Sequence, residues 1–221
     1  ATSVLQSTKG STMNNYCPEK FAKKRTSIKG QLTGIHTVDP NCGADVALKC
    51  IAFIENLKKY ELRKDGSPGI THEYDGISMI MGLSIDHKSK MELVILYSLH
   101  DAVEDYSIRN EDVPWVSKSQ FERIVMISKI RYGVKLSPED YFAGMNDPIV
   151  IVAKLIDRAV NLASMSCFTD QKKREQVKET QDWIIPTGKK LRSIHPEWAQ
   201  IYELLKIIIN GYCNLLLNQI K

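Results

Sequence analysis

The sequence predicts an all-α protein. Three observations carry that expectation. Apolar residues recur at helical spacing in segment after segment, prolines lead two of the longer ones, and no stretch alternates apolar and polar residues as a half-buried strand does. No internal repeat or low-complexity tract interrupts the pattern.

In chain order, the first candidate helix is 44–62, where Ala47, Cys50, Ile51, Ile54 and Leu57 share one face. The link RKDGSPG, rich in glycine and proline, ends it. A short helix over 73–83 follows through Ile77, Ile80 and Met81, and a third spans 88–105. Residues 118–131 place Phe121, Ile124, Val125 and Ile127 or Ser128 on one side. Pro138 marks a short segment, and 147–166 opens with Pro148 in its first turn. Residues 170–184 and 196–219, the latter led by Pro196, complete the set. Residues 14–43 are basic, dotted with glycine and only weakly periodic. Residues 1–12 are small, polar and aperiodic, and read as an added leader before a native start at Met13; the alternative is a native N-terminal arm.

Bulk properties narrow the function classes. A chain of 221 residues is expected to form one domain with a sizeable core. A net charge of +4 tolerates a polyanionic ligand without announcing nucleic-acid binding, since KFAKKR and GKKLR are separate and have no interleaved aromatics. Five cysteines without a CxxC point to reduced thiols and a cytoplasmic setting. No apolar run approaches the roughly 20 residues a membrane span needs, so no membrane partner is expected. The sequence assigns no oligomeric state.

One stretch conflicts with its setting. YSLHDAVEDY (97–106) lies among Val94, Leu96, Leu99 and Val103 yet carries His100, Asp101, Glu104 and Asp105. Burying even one unpaired carboxylate costs on the order of several kcal/mol. Either these groups face water or something positive sits among them. On a continuous helix His100 and Glu104 lie one turn apart, as do Asp101 and Asp105. His100 and Asp101 can offer a nitrogen and an oxygen to a divalent metal, which neutralises the acids. Two ligands do not hold a metal tightly. His72, after the RKDGSPGIT link, and Asp157, within an apolar helix, are the candidates for the remainder. Plainer readings stand beside this one: His100 as a hydrogen-bonded core histidine, Glu104 and Asp105 as a solvated helix end, and Asp157–Arg158 as a structural ion pair. His36, His87 and His195 have no comparable company and read as non-ligands.

RKDGSPGITH (63–72), LHDAVED (99–105) and VAKLIDRAVN (152–161) together resemble a known family. The order H…HD…D is that of HD-domain metal-dependent phosphohydrolases, and the resemblance narrows to the hydrolase domains of the Rel/Spo alarmone enzymes and their small stand-alone relatives of the metazoan SpoT-like type. The resemblance implies an HD-domain helical bundle with a metal site between helices, an extension over 13–43 and the hydrolase domain over 44–221, in a hydrolase-only form. His72, His100, Asp101 and Asp157 would ligate one divalent ion, Mn2+ in this family. Glu104 and Asp105 would hold and deprotonate water. Arg63 would cover the purine, with Lys64 near ribose or phosphate, and Asn161 and Ser164 would contact the ribose or phosphate. Lys64 and Lys154 are cations for a 5′-diphosphate.

The implied reaction removes the 3′-pyrophosphate of guanosine tetra- or pentaphosphate, giving GDP or GTP. The alternatives are a phosphohydrolase acting on another nucleotide, such as the 2′-phosphate of NADPH or an adenine alarmone, and a nucleotide-binding regulatory protein with little turnover. Departures from the pattern cluster near the pocket. Gly69 replaces a tyrosine, Glu73 a proline and Ile156 an alanine, while Ala159 and Val160 replace leucine and histidine. Lys58 and Glu61 stand where the pattern has histidine and glutamine, five and two residues before the arginine.

Overall fold

The computed structural model describes residues 16–131 and 133–220, so the expectations for residues 1–12 and Met13 lie outside it. It is a helical bundle with one two-stranded hairpin, assembled around two helices that are buried along most of their length. The helices α1 (Pro18–Val38), α2 (Ala44–Leu57), α3 (Thr71–Met81) and α4 (His87–Leu99) form its first half. The second half holds α5 (Ala102–Tyr106), α6 (Lys118–Ile127), α7 (Pro138–Ala143), α8 (Pro148–Ala163), α9 (Asp170–Glu179), α10 (Ile185–Gly188), α11 (Lys190–Ile194) and α12 (Ala199–Gln219).

Helices α4 and α8 form the centre. In α4 every residue from Leu93 to Leu99 is buried, and in α8 the same holds from Ile149 to Val160. Apolar residues dominate both buried stretches, and the charged members of α8, Lys154, Asp157 and Arg158, are buried with ion-pair partners. They pack on each other; α2, α3 and α6 lie against α4, and α12 lies along α8. Each core helix starts on a side-chain cap. Asp86 accepts the Ser89 N–H, and Asp147 accepts those of Ile149 and Val150 ahead of Pro148. Ser117 and Gln120 form a reciprocal capping box at α6. Helix α1, for which the weak periodicity gave no element, packs Ile28 and Leu32 against α2 and α3.

Three features differ from the sequence expectations. The helix expected over 88–105 breaks between Leu99 and Ala102, at His100 and Asp101. The helix expected to reach residue 131 stops at Ile127, because Ser128 turns extended and its hydroxyl donates to Ile130 O at 2.6 Å. A two-stranded hairpin then pairs β1 (Ile130–Arg131) with β2 (Val134–Lys135) through Gly133 at φ +81°, where no strand was expected. The segment 170–184 is α-helical to Glu179 and widens into a π-turn over Thr180–Ile184, just ahead of Pro186, which has no N–H to continue the ladder.

Among the described residues no helix is long and apolar enough to cross a membrane. The five cysteines are unpaired thiols.

Candidate metal centre

The site lies where α3, the α4–α5 break and α8 meet. His100 ends α4, and its Nδ1 lies 2.7 Å from Tyr97 O. That carbonyl can only accept, so Nδ1 carries the proton and Nε2 points inward. His72, in the first turn of α3, places its Nε2 3.3 Å from that atom. Asp157, midway along α8, places Oδ1 3.2 Å from His72 Nε2 and 3.6 Å from His100 Nε2. All three residues are buried, and their ligand atoms lie within 4.8 Å of one another.

The donors fit a divalent ion. Ligand atoms each about 2.1 Å from a shared ion stand about 3.0 Å apart in octahedral and about 3.4 Å apart in tetrahedral arrangement. The three observed separations fall close to that range. Two imidazoles and a carboxylate are a donor set for a transition metal or zinc, and do not select among such metals. Asp101 stands at the edge of this group. Its Oδ1 is 3.1 Å from His100 Nε2, but the side chain is 39% exposed and lies outside the compact three-residue cluster.

Charge is concentrated here. Asp157 Oδ2 accepts from Lys154 Nζ at 2.9 Å, and Oδ1 accepts from Asn161 Nδ2 at 2.7 Å. Burial opposes ionisation of Asp157, yet Lys154 and the two histidines override it and hold its carboxyl well below the usual range. Burial likewise opposes protonation of His100, but Asp101 and Asp157 push it up to about 9. These acids thus create a strong demand for positive charge at the cluster. The expected alternative of an Asp157–Arg158 pair does not form: Arg158 turns to Glu179, at 2.8 Å.

A cavity of about 380 Å³ opens over this cluster. Its wall takes in Arg63, His72, His100, Asp101, Glu104, Asp105, Lys154, Asp157 and Asn161. Glu104 is fixed by the end of α6, where its Oε2 accepts the Lys129 backbone N–H at 3.1 Å. Asp105 is held above its ordinary value, first by partial burial and then by the negative charge of Asp101. The RKDGSPG link forms a tight turn. Arg63 N–H donates to Ser67 O at 2.8 Å, Asp65 Oδ1 accepts the Ser67 N–H, and Gly66 sits at φ +81°. The turn aims Arg63 at α8, where it donates to Ser164 Oγ at 3.0 Å. Ser164 therefore meets the cavity through Arg63. Lys64 turns away, its ammonium 4.5 Å from the Phe168 ring centre. Lys154 lines the cavity with its ammonium already engaged by Asp157. His36, His87 and His195 lie outside the wall.

Sequence reasoning gave no role at the site to five residues that take part in it. Lys129 steadies Glu104 through its backbone, a contact no side-chain pattern reveals. Tyr97 is fully buried, stacked on His100 at 4.7 Å, with its hydroxyl 3.4 Å from His72 Nε2. Gly76 makes room for it, since a Cβ there would lie 2.0 Å from Tyr97 Cζ. A glycine inside a helix was the available signal. Lys58 and Glu73 form a buried ion pair beside Asp101.

No family model matches the chain. It is 30% identical over 160 residues to the guanosine-3′,5′-bis(diphosphate) 3′-pyrophosphohydrolase of Aquifex aeolicus, covering 67% of this chain and 22% of that protein. A probable enzyme of the same name from Synechocystis is 26% identical over 172 residues, or 73% of this chain and 22% of that one. A GTP pyrophosphokinase of Myxococcus xanthus is 24% identical over 165 residues, or 69% and 21%. The chain spans about a fifth of the length of these curated relatives.

Proposed function

We propose, from a chain related to the Rel/Spo-type enzymes, a metal-dependent pyrophosphohydrolase that removes the 3′-pyrophosphate of guanosine tetra- or pentaphosphate and gives GDP or GTP plus pyrophosphate. One observation supports the reading most: the convergence of His72, His100 and Asp157 beneath a cavity edged by Glu104, Asp105 and Arg63. Relatives named both as hydrolases and as pyrophosphokinases match the chain. The acids beside the donor cluster favour hydrolysis, because water needs a base.

His72, His100 and Asp157 hold the ion in this reading, with Asp101 completing the set, and Mn2+ is the proposed metal. Such an ion, when bound, lowers the pKa of coordinated water and offsets phosphate charge. Glu104, anchored at one oxygen by Lys129 N–H, keeps the other free to orient the water. Glu104 and Asp105 together hold the water and take its proton, Asp105 with its carboxyl held above its ordinary value. The water oxygen joins phosphorus, the bond from phosphorus to the 3′-oxygen breaks, and the released 3′-hydroxyl gains a proton. Arg63, steadied by Ser164, offers a planar guanidinium to the base. Asn161 follows Asp157 along α8 and addresses the ribose, while Ser164, at the end of that helix, acts by steadying Arg63.

A second reading, hydrolysis of a different phosphorylated nucleotide, is favoured by one contact at the cavity mouth. A Cβ on Gly69 would meet Glu61 Cβ at 2.8 Å, so Glu61 occupies space beside the base position and brings a carboxylate there. Both readings are tested by incubating the Mn2+-loaded protein with a panel of nucleotides and separating the products by ion exchange. Guanosine 3′,5′-bis(diphosphate) is expected to react much faster than GTP, ATP or 5′-monophosphates. Rapid 5′-monophosphate hydrolysis without attack on the 3′-pyrophosphate overturns the alarmone reading.

A further inference from the structure

Two of the departures noted in the sequence meet in space. Lys58 closes the C-terminus of α2, its N–H bonded to Ile54 O at 2.9 Å, and Glu73 lies in the first turn of α3. The Lys58 ammonium stands 2.5 Å from Glu73 Oε1, with side-chain exposures of 6% and 1%. Taking two charges out of water is costly, and a pair kept for stability alone satisfies its remaining polar atoms. This one does not. Glu73 Oε2 is buried without a hydrogen-bond partner among the described residues. The ammonium instead reaches past Glu73 to within 3.7 Å of Asp101 Oδ2.

Asp101 is the donor with the least support. It sits at the helix break, and its side chain is 39% exposed, so water competes for it. Its two oxygens have different neighbours. Oδ2 faces Lys58, and Oδ1 lies 3.1 Å from His100 Nε2. A cation fixed on the Oδ2 side selects the rotamer that presents Oδ1 to the cluster.

We infer that Lys58, anchored by Glu73, is a positioning residue that keeps the Asp101 carboxylate turned toward His72, His100 and Asp157 as the fourth donor for a divalent cation. The inference rests on the metal reading given above. Groups that orient ligating side chains typically contribute about 10- to 100-fold in metal affinity. A purely structural Lys58–Glu73 pair contributes to stability and nothing to affinity.

The test uses Mn2+ alone, titrated into the full chain and followed by the EPR signal of the free ion. Lys58→Ala leaves Glu73 charged and unpaired, which endangers folding. The decisive variant is therefore Lys58→Met/Glu73→Leu, with its fold checked by circular dichroism. Its Mn2+ affinity is expected to fall about 10- to 100-fold, and Lys58→Arg to restore most of that loss. Added to Asp101→Asn, the double replacement should cost nothing further, because both act through the same carboxylate. Unchanged affinity in the folded double variant, or full additivity with Asp101→Asn, overturns the inference. Asp157→Ala separates the two levels of the argument. If it loses Mn2+ while the Lys58/Glu73 variant keeps it, only the positioning role fails; if it binds as the unmodified chain does, the metal reading fails.

Discussion

His72 Nε2 and His100 Nε2 face each other at 3.3 Å across 28 residues of chain, with Asp157 Oδ1 beside both. Two imidazole nitrogens at that distance repel when both are protonated and when both are bare. A shared proton or a shared cation resolves the conflict, and the surrounding carboxylates favour the charge.

Asp157→Ala is expected to abolish stoichiometric metal binding and, with it, hydrolysis. The same change leaves the Lys154 ammonium buried without its partner, so part of the loss will appear as lower stability. Metal content measured by atomic emission on the folded fraction separates the two effects.

Glu104→Gln keeps the shape of the side chain and its capacity to accept the Lys129 N–H. Metal content should stay at the unmodified level while the rate falls about 100- to 10,000-fold, the usual contribution of a general acid–base group. A variant that retains full activity would place water activation elsewhere, with Asp105 the next residue to replace.

Arg63→Ala removes the guanidinium that Ser164 steadies at the cavity wall. Because Arg63 touches none of the clustered donors, KM should rise with metal affinity unchanged. Ser164→Ala, which only frees the guanidinium, should show a smaller effect in the same direction.

Gly76→Ala tests the packing beneath the histidines. The added Cβ would stand 2.0 Å from Tyr97 Cζ inside a closed core, and overpacking of this kind costs about 1–3 kcal/mol. Tyr97 must move, and it is stacked on His100. A lowered denaturant midpoint together with weaker metal binding is expected; Gly76→Ala/Tyr97→Phe should recover little, because the ring itself collides.

Acid should weaken the fold through Glu179. It pairs with Arg158 and Lys129. Burial opposes its ionisation, but these cations outweigh burial and bring the carboxyl down to about 2 from its ordinary 4.5. A carboxyl depressed in the folded state stabilises above its unfolded value and loses that contribution as pH falls toward the folded one. Urea midpoints should therefore drop between about pH 4.5 and about pH 2, and the drop should be shallower in Glu179→Gln.

The helical class and most of the helices were legible because they depend on local order, whereas the candidate nucleotide contacts rested on the resemblance to the Rel/Spo hydrolases alone. Periodicity reports which face is buried, and a histidine with three acids inside an apolar run reports an unmet charge. What neighbours in sequence cannot reveal is which partner each charged group takes. Asp157 pairs with Lys154 one turn away, while the adjacent Arg158 points to α9. Glu104 is held by the Lys129 backbone N–H, which is free to donate to it because α6 stops at Ile127. At the break between α4 and α5, His100 is buried while its neighbour Asp101 stands at the rim with its side chain 39% exposed. Arg63 and Ser164 touch across 101 residues. Hydrophobic spacing settles where each helix is buried; the order in which buried charges find one another is decided by tertiary packing, because electrostatic pairing in a low-dielectric interior depends on distances of a few ångströms that no local pattern encodes.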